Sequence, residues 1–363
     1  MIRHLHPAAW WLWAIALAAS AGLATNPLIL AAHAVVLTAV VAARRDGSPW
    51  GRAFRLYAIL GAVIIVMRMV LHVLIGLKFG TITVLPLPEA HLPSWAAGIE
   101  LGGTVYLEGM LGAGLEGARL ATMILAVGAA NALASPKRLL KVFPAALHEI
   151  GAALVVAVTV APQLAQSVLR VQRARALRGD TSRGLRGFRQ VAMPVLQDTL
   201  DRSLALAGAM DGRGHGRRGD PGGRGSSYVG LAGLVGAAIG LYGLLDATSP
   251  PALGLPVLTV GLVLCLVGLR LGGRGVGRTS YRREPWRGPE WLTAAAGLAA
   301  LGGTLIVLRT DPASLSMPLV PRLGWPTMPL PVLAGLFVAA VPAVATPVPP
   351  LVTARRTTRE VLS

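Results

Sequence analysis

Two arginines are the residues best placed to do chemistry, because each stands beside glycine at the close of a helix-forming run. Arg178 ends the run Gln163-Leu-Ala-Gln-Ser-Val-Leu-Arg-Val-Gln-Arg-Ala-Arg-Ala-Leu177-Arg178-Gly179, and Arg213 ends one from about Phe188 to Ala209-Met210-Asp211-Gly212-Arg213-Gly214. A guanidinium is a planar, permanently charged fork that can bind a carboxylate through two parallel N–H bonds. Glycine suits the left-handed position that closes a helix, and a cation there gains about 0.3 to 1 kcal/mol from the helix dipole. One such end reads as a cap. Two in tandem, with small residues around each arginine (Ala174, Ala176 and Gly179; Gly208, Ala209, Gly212 and Gly214), present arginines where another backbone can approach closely.

The elements that must position these arginines are amphipathic helices, not membrane spans. Leu164, Val168 and Val171 fall at i, i+4 and i+7 of the first, with Gln163, Gln166, Arg170, Arg173 and Arg175 on its other faces. In the second, Leu196, Leu200 and Leu204 make the apolar stripe, and Asp198, Asp201 and Arg202 make the wet side. Pro194 predicts a kink or a late helix start.

Everything around this stretch belongs to a bilayer. Hydrophobic residues make up 54% of the 363 and charged residues only 14%, which is too apolar for a soluble domain of this size. The single Cys265 lies in an apolar run, so neither a disulfide framework nor a cysteine metal cluster is available. The expected fold is all-α, a polytopic helical bundle of about eight spans.

Residues 8–24 form the first apolar run, with Trp10, Trp11 and Trp13 where an interfacial belt would lie. Ala19-Ser20-Ala21 resembles a signal cleavage site, but a second run, 27–43, follows across Thr25-Asn26-Pro27 as in a helical hairpin. A third span covers about 56–76 and holds Arg68, which is expected to snorkel outward or to meet Glu108 or Glu116. Residues 77–116 carry four glutamates against Lys78 and read as an outside loop; a fourth span covers about 117–134. The apolar stretch 143–162, interrupted by Pro144, His148, Glu149 and Pro162, has basic flanks on both sides, so it is expected to lie along the inner interface. Four more spans follow at 229–246, 253–271, 291–308 and 329–346. These runs divide the chain into N-terminal spans (1–134), a cytoplasmic or interfacial region (135–228) and C-terminal spans (229–363). With both termini inside, nearly every arginine cluster falls on the cytoplasmic face, so topology accounts for most of the +18 net charge without nucleic acid.

The chain resembles the transmembrane T component of energy-coupling factor (ECF) transporters, the CbiQ/EcfT family, in which two coupling helices each end in a short motif centred on arginine. Arg178 in Ala-Leu177-Arg178-Gly179-Asp and Arg213 in Ala-Met-Asp-Gly212-Arg213-Gly214 match those two arginines. Asn26-Pro27, the order Leu107-Glu-Gly109 to Gly117-Ala-Arg119-Leu before Ser135-Pro136, and Pro162-Gln-Leu match as well. The likeness covers roughly residues 5–245; Leu177 stands where the family usually has a small residue, and residues 253–363 extend beyond the family's usual length. The resemblance implies a plasma-membrane coupling subunit whose two arginines sit in grooves of a pair of cytoplasmic ABC-type ATPases, and whose bundle carries a substrate-binding S component for a vitamin or a transition-metal ion. ATP and Mg would then be bound by the partner ATPases and no cofactor by this chain.

The residues agree with this partly by what they lack. No Gly-x-x-x-x-Gly-Lys-Ser/Thr phosphate loop occurs, and the spans lack the paired carboxylates or histidines of a proton-coupled carrier or a membrane hydrolase. His33 and His72 are isolated, and Glu89 with His91 reads as a solvated loop pair rather than a metal site. The linkers 214–228 and 272–280 are rich in Gly and Arg, and a solvated loop explains them better than RNA binding does. A stand-alone permease is the alternative reading, and a polytopic membrane enzyme a weaker one.

Overall fold

The computed structural model describes residues 5–45, 49–75, 79–91, 100–134, 136–139, 148–179, 184–212, 224–245, 250–273, 285–320 and 323–347. The chain folds as helices α1 (Pro7–Gly22), α2 (Pro27–Arg44) and α3 (Pro49–Ile75), a hairpin of β1 (Thr83–His91) and β2 (Glu100–Tyr106), then α4 (Leu107–Leu133) and the short α5 (Pro136–Leu139). There follow α6 (His148–Leu177), α7 (Gly184–Asp211), α8 (Arg224–Leu245), α9 (Leu255–Gly272), α10 (Gly288–Thr310), α11 (Leu330–Ala340) and α12 (Pro342–Ala345). Among the described residues, seven helices are long and apolar enough to cross a membrane: α2, α3, α4, α8, α9 and α10, with residues 153–177 of α6. The helices α1 and α11–α12 are apolar but shorter.

Helix starts follow local chemistry. Proline opens α1 and α2, where its missing N–H costs nothing. The Asn26 side chain accepts from Leu28 N at 3.0 Å, and the His6 ring accepts from Ala8 N at 3.3 Å.

The chain forms two compact units, Met1–Leu139 with Glu284–Ser363, and Leu140–Arg283. In the first, α10 packs against α1, α11 packs against α10 and α2, and α3 pairs with α4. The helices α10 and α11 are therefore part of the same core as the first two helices. The Trp13 indole N–H donates to Ala339 O at 3.0 Å, and a side chain at Gly297 would lie 2.6 Å from the Trp13 Cα. Asn26 Nδ2 donates to Ser314 O at 2.8 Å and to Thr327 O at 2.7 Å, tying the first hairpin turn to the loop after α10. Deep in this unit Ser20, His33 and Thr304 are fully buried, and Ser20 Oγ lies 2.9 Å from His33 Nε2 and 2.7 Å from Thr304 Oγ1.

Two expectations are corrected here. The stretch 77–116 is not a single loop: Thr83–His91 and Glu100–Tyr106 form two antiparallel strands and α4 begins at Leu107, ten residues before the expected span. Its first residues contain Glu108 and several glycines, which read as loop; in the fold Glu108 is buried and accepts from Thr81 N and Thr81 Oγ1, at 2.9 and 2.8 Å, and from Ile82 N, so its carboxylate anchors the hairpin. Residues 148–177 form one unbroken 30-residue helix, so the apolar stretch and the first amphipathic run share an axis despite Pro162.

Candidate functional site

In the second unit α6 and α7 run antiparallel and are joined mainly by polar side chains. Ser167 Oγ donates to Asp198 Oδ2 at 2.6 Å, Arg202 Nε meets Asp198 Oδ1 at 3.0 Å, and Arg170 Nη2 reaches Asp198 Oδ2 at 3.3 Å. The Ser167 hydroxyl and then Arg202 hold the Asp198 carboxyl below its usual range. Nearer the turn, Arg175 Nη1 donates to Gly187 O at 3.0 Å and Nη2 to Gln190 Oε1 at 2.8 Å. This clamp fixes the register of the two helices. A groove of about 360 Å³ runs between them, with Val156, Val160, Leu206 and Met210 on its apolar walls and Gln163 and Asp198 among its polar ones.

The clamp turns α7 in a direction the apolar pattern did not predict. Val195 is buried, whereas Leu196, Leu200 and Leu204 are 61 to 64% exposed and make a bare stripe on a different side. The side carrying Asp198 and Arg202, expected to be wet, is the one that meets α6. Ser167 and Asp198 are 31 residues apart, so no local pattern announced the pairing.

The first arginine motif is laid out openly. Arg178 N donates to Arg175 O at 3.0 Å and Gly179 N to Ala176 O at 3.1 Å, closing the last turn. Gly179 has φ +72°, the left-handed value expected of a helix-closing glycine, and a side chain built there would meet no described residue within 4 Å. Leu177 is 90% exposed. The Arg178 side chain is exposed and makes no hydrogen bond or ion pair with any described residue, whereas Arg175 one turn back is engaged. The fold thus separates the two basic residues by role: Arg175 holds the hairpin together and Arg178 projects.

At the other motif, Gly212 N donates to Gly208 O at 3.0 Å and ends α7 in an exposed turn. Arg213 and Gly214 lie outside the described residues. The 28 residues of α7 extend about 42 Å at 1.5 Å per residue. Because the hairpin is antiparallel, Arg178 and Gly212 stand near opposite ends of that length.

The other candidate residues separate. Arg68 and Glu116 form an ion pair, whereas Glu108 is taken by the hairpin. No group of three or more potential metal ligands occurs among the described residues. Glu89 and His91 lie on β1, and His33 is enclosed with Ser20 and Thr304. A scan against protein-family models, a search of curated proteins and a search of solved structures each return no match to this chain.

Proposed function

We propose that this chain is the membrane-embedded coupling subunit of an ECF-type ABC importer, joining a pair of cytoplasmic ATPases to a substrate-binding membrane partner. The observation that carries the reading is the exposed Arg178, at a glycine-closed helix end, whose side chain pairs with none of the described residues. A cap that served only its own helix would turn its guanidinium back to the last carbonyls; this one projects.

The length of α7 supports two contacts rather than one. Ends about 42 Å apart suit two separate clefts, one on each of two partner subunits. A guanidinium entering such a cleft binds a carboxylate in two places, and the flanking small residues let the cleft walls close on the helix end. The Asp198 clamp keeps both ends on one stiff element, so a change in spacing between the partner clefts is passed to the whole α6–α7 pair. Coupling requires no group on this chain that cleaves ATP, so hydrolysis belongs to the partners and the cargo to the third component.

The test is co-purification from membranes in mild detergent, comparing the native chain with Arg178→Glu and Arg213→Glu variants. The native chain is expected to bring down an ABC-type ATPase, and the charge-reversed chain to lose it while inserting normally. An ATPase retained unchanged by the reversed chain, or none with the native chain, overturns the coupling reading.

A further inference from the structure

The ion pair between Arg68 of α3 and Glu116 of α4 has no part in the coupling reading. The Arg68 Cβ lies 3.3 Å from where a Cβ on Gly117 would stand, so the two charged residues share one level on the paired helices. That level lies inside a bilayer. Arg68 is about 10 Å from the last residue of α3, and Glu116 about 14 Å from the first residue of α4. Both helices are about 40 Å long and apolar enough to span, and a hydrocarbon core of ~30 Å centred on them encloses both charges.

The pair is not covered by its own chain. The side chains of Arg68 and Glu116 are 49% and 44% exposed. Leu71 and Ile75 follow Arg68 at i+3 and i+7, and Leu120 and Val127 follow Glu116 at i+4 and i+11, so these four share the flank of the ion pair. They are 40 to 51% exposed. The flank is thus an apolar strip with one salt bridge in it. Hydrocarbon suits the strip but not the salt bridge. Arg68 Nη2 meets Glu116 Oε2, and lipid tails offer nothing to the other guanidinium N–H groups or to the second carboxylate oxygen. A lone arginine snorkels toward the edge of the core, whereas this one is tied to the shorter side chain of Glu116 and stays at its level.

We infer that this flank is a self-association face, on which a second copy of the chain packs its own α3–α4 pair about a two-fold axis along the membrane normal. Copies in one membrane share an orientation, so a two-fold axis between them runs along the normal. Because Arg68 and Glu116 share a level, the line from one charge to the other lies in the membrane plane, and a half-turn about the normal reverses it. Arg68 of each copy then faces Glu116 of the other. The result is an alternating ring of four charges with no net charge, in which each guanidinium fork lies between two carboxylates. The aliphatic side chains along the flank supply close contact on either side of the ring. A lipid headgroup lies at the edge of the core, and a different helix would need an acid and a base side by side at this depth; a second copy carries both by construction. The face requires only that α3 and α4 cross a membrane, and it is independent of whether Arg178 meets an ATPase.

The experiment measures energy transfer between donor- and acceptor-labelled full-length chains in phosphatidylcholine vesicles, over a series of dilutions with lipid. It compares the native chain with a charge-swapped chain carrying Arg68→Glu and Glu116→Arg, and with a neutral chain carrying Arg68→Leu and Glu116→Leu. Native is expected to associate with native, and swapped with swapped. The mixed combination should be roughly tenfold weaker or more, because the half-turn then sets like charges against each other. The neutral chain should be weakened by a similar factor. If the swapped chain loses its folded signal, the neutral chain, which has no charge to place in the core, decides. Mixed association as tight as like with like overturns the inference and leaves only apolar contact. So does a neutral chain that associates as tightly as the native one. A native chain that stays monomeric at every dilution also overturns it, and assigns the ion pair to lipid or to a different membrane protein.

Discussion

Asn26 is the strongest single test of how the first unit is held together. Its side chain makes three bonds from a fully buried position: Oδ1 accepts from Leu28 N, and Nδ2 donates to Ser314 O and Thr327 O. Asn26→Ala removes a helix cap, worth about 1 kcal/mol. It also strands two carbonyls, at about 1 to 3 kcal/mol each when no water replaces the donor. The contact with Thr327 is only partly buried, so that carbonyl belongs at the low end of the range. The expected loss is roughly 3 to 4 kcal/mol. Asn26→Asp sharpens the test, since it keeps the capping oxygen and replaces the donating nitrogen with a second oxygen facing two carbonyls. It should destabilise at least as much as alanine, although a cap alone would be kept or improved by aspartate. The assay is equilibrium unfolding of the detergent-solubilised protein, with limited proteolysis of the loop between α10 and α11 reporting local release. A loss below about 1 kcal/mol for alanine, or an aspartate variant as stable as the native chain, would refute the claim that Asn26 joins the two ends of the sequence.

Two further outcomes follow from the geometry. Gly297→Leu places a side chain 2.6 Å from the Trp13 Cα, a backbone atom that cannot step aside, so it should cost about 1 to 3 kcal/mol or more by overpacking and lower the thermal midpoint of the first unit. Asp198 has a carboxyl pKa below its unfolded value, so its contribution to the α6–α7 clamp is complete above the ordinary carboxylate range and is lost as pH falls through the lowered folded value. Spin labels on the exposed faces of α6 and α7 should report separation only in that acid window. Ser167→Ala should shift the separation to higher pH, and an unshifted profile would remove Ser167 as the principal cause.

Much of this was legible because helices and their starts are local. Proline at the first position, asparagine or histidine before it, and long apolar runs locate α1, α2 and most of the later helices without reference to anything distant. The Arg68–Glu116 pair was legible for a different reason: so few carboxylates lie near that span that only two partners were open, and Glu108 is diverted by the amides of Thr81 and Ile82. What stayed hidden depends on contacts across the sequence. The hydrogen bond between Ser167 and Asp198 spans 31 residues, and no periodicity distinguishes a polar face that meets another polar face from one that meets water. The same applies to Asn26, whose partners lie 288 and 301 residues away. Pro162 misled because proline normally breaks a helix, whereas here the backbone continues through it.

The closure of the first unit by α10 has a consequence for how the protein is made. Ser20 and His33 are synthesised near the start, and Thr304, which completes their buried hydrogen-bonded group, emerges 284 residues after Ser20. At about 5 to 20 residues per second, that interval is roughly 15 to 60 seconds. Throughout it α1 and α2 hold a serine and a histidine with an open flank, and Trp13 has no Ala339 carbonyl to receive its indole proton. The early helices must therefore be sheltered by the insertion machinery, or by one another, until the last fifth of the chain arrives. A ribosome that stalls in the loop before α10 leaves α1 and α2 with an exposed polar seam, a ready substrate for intramembrane quality control.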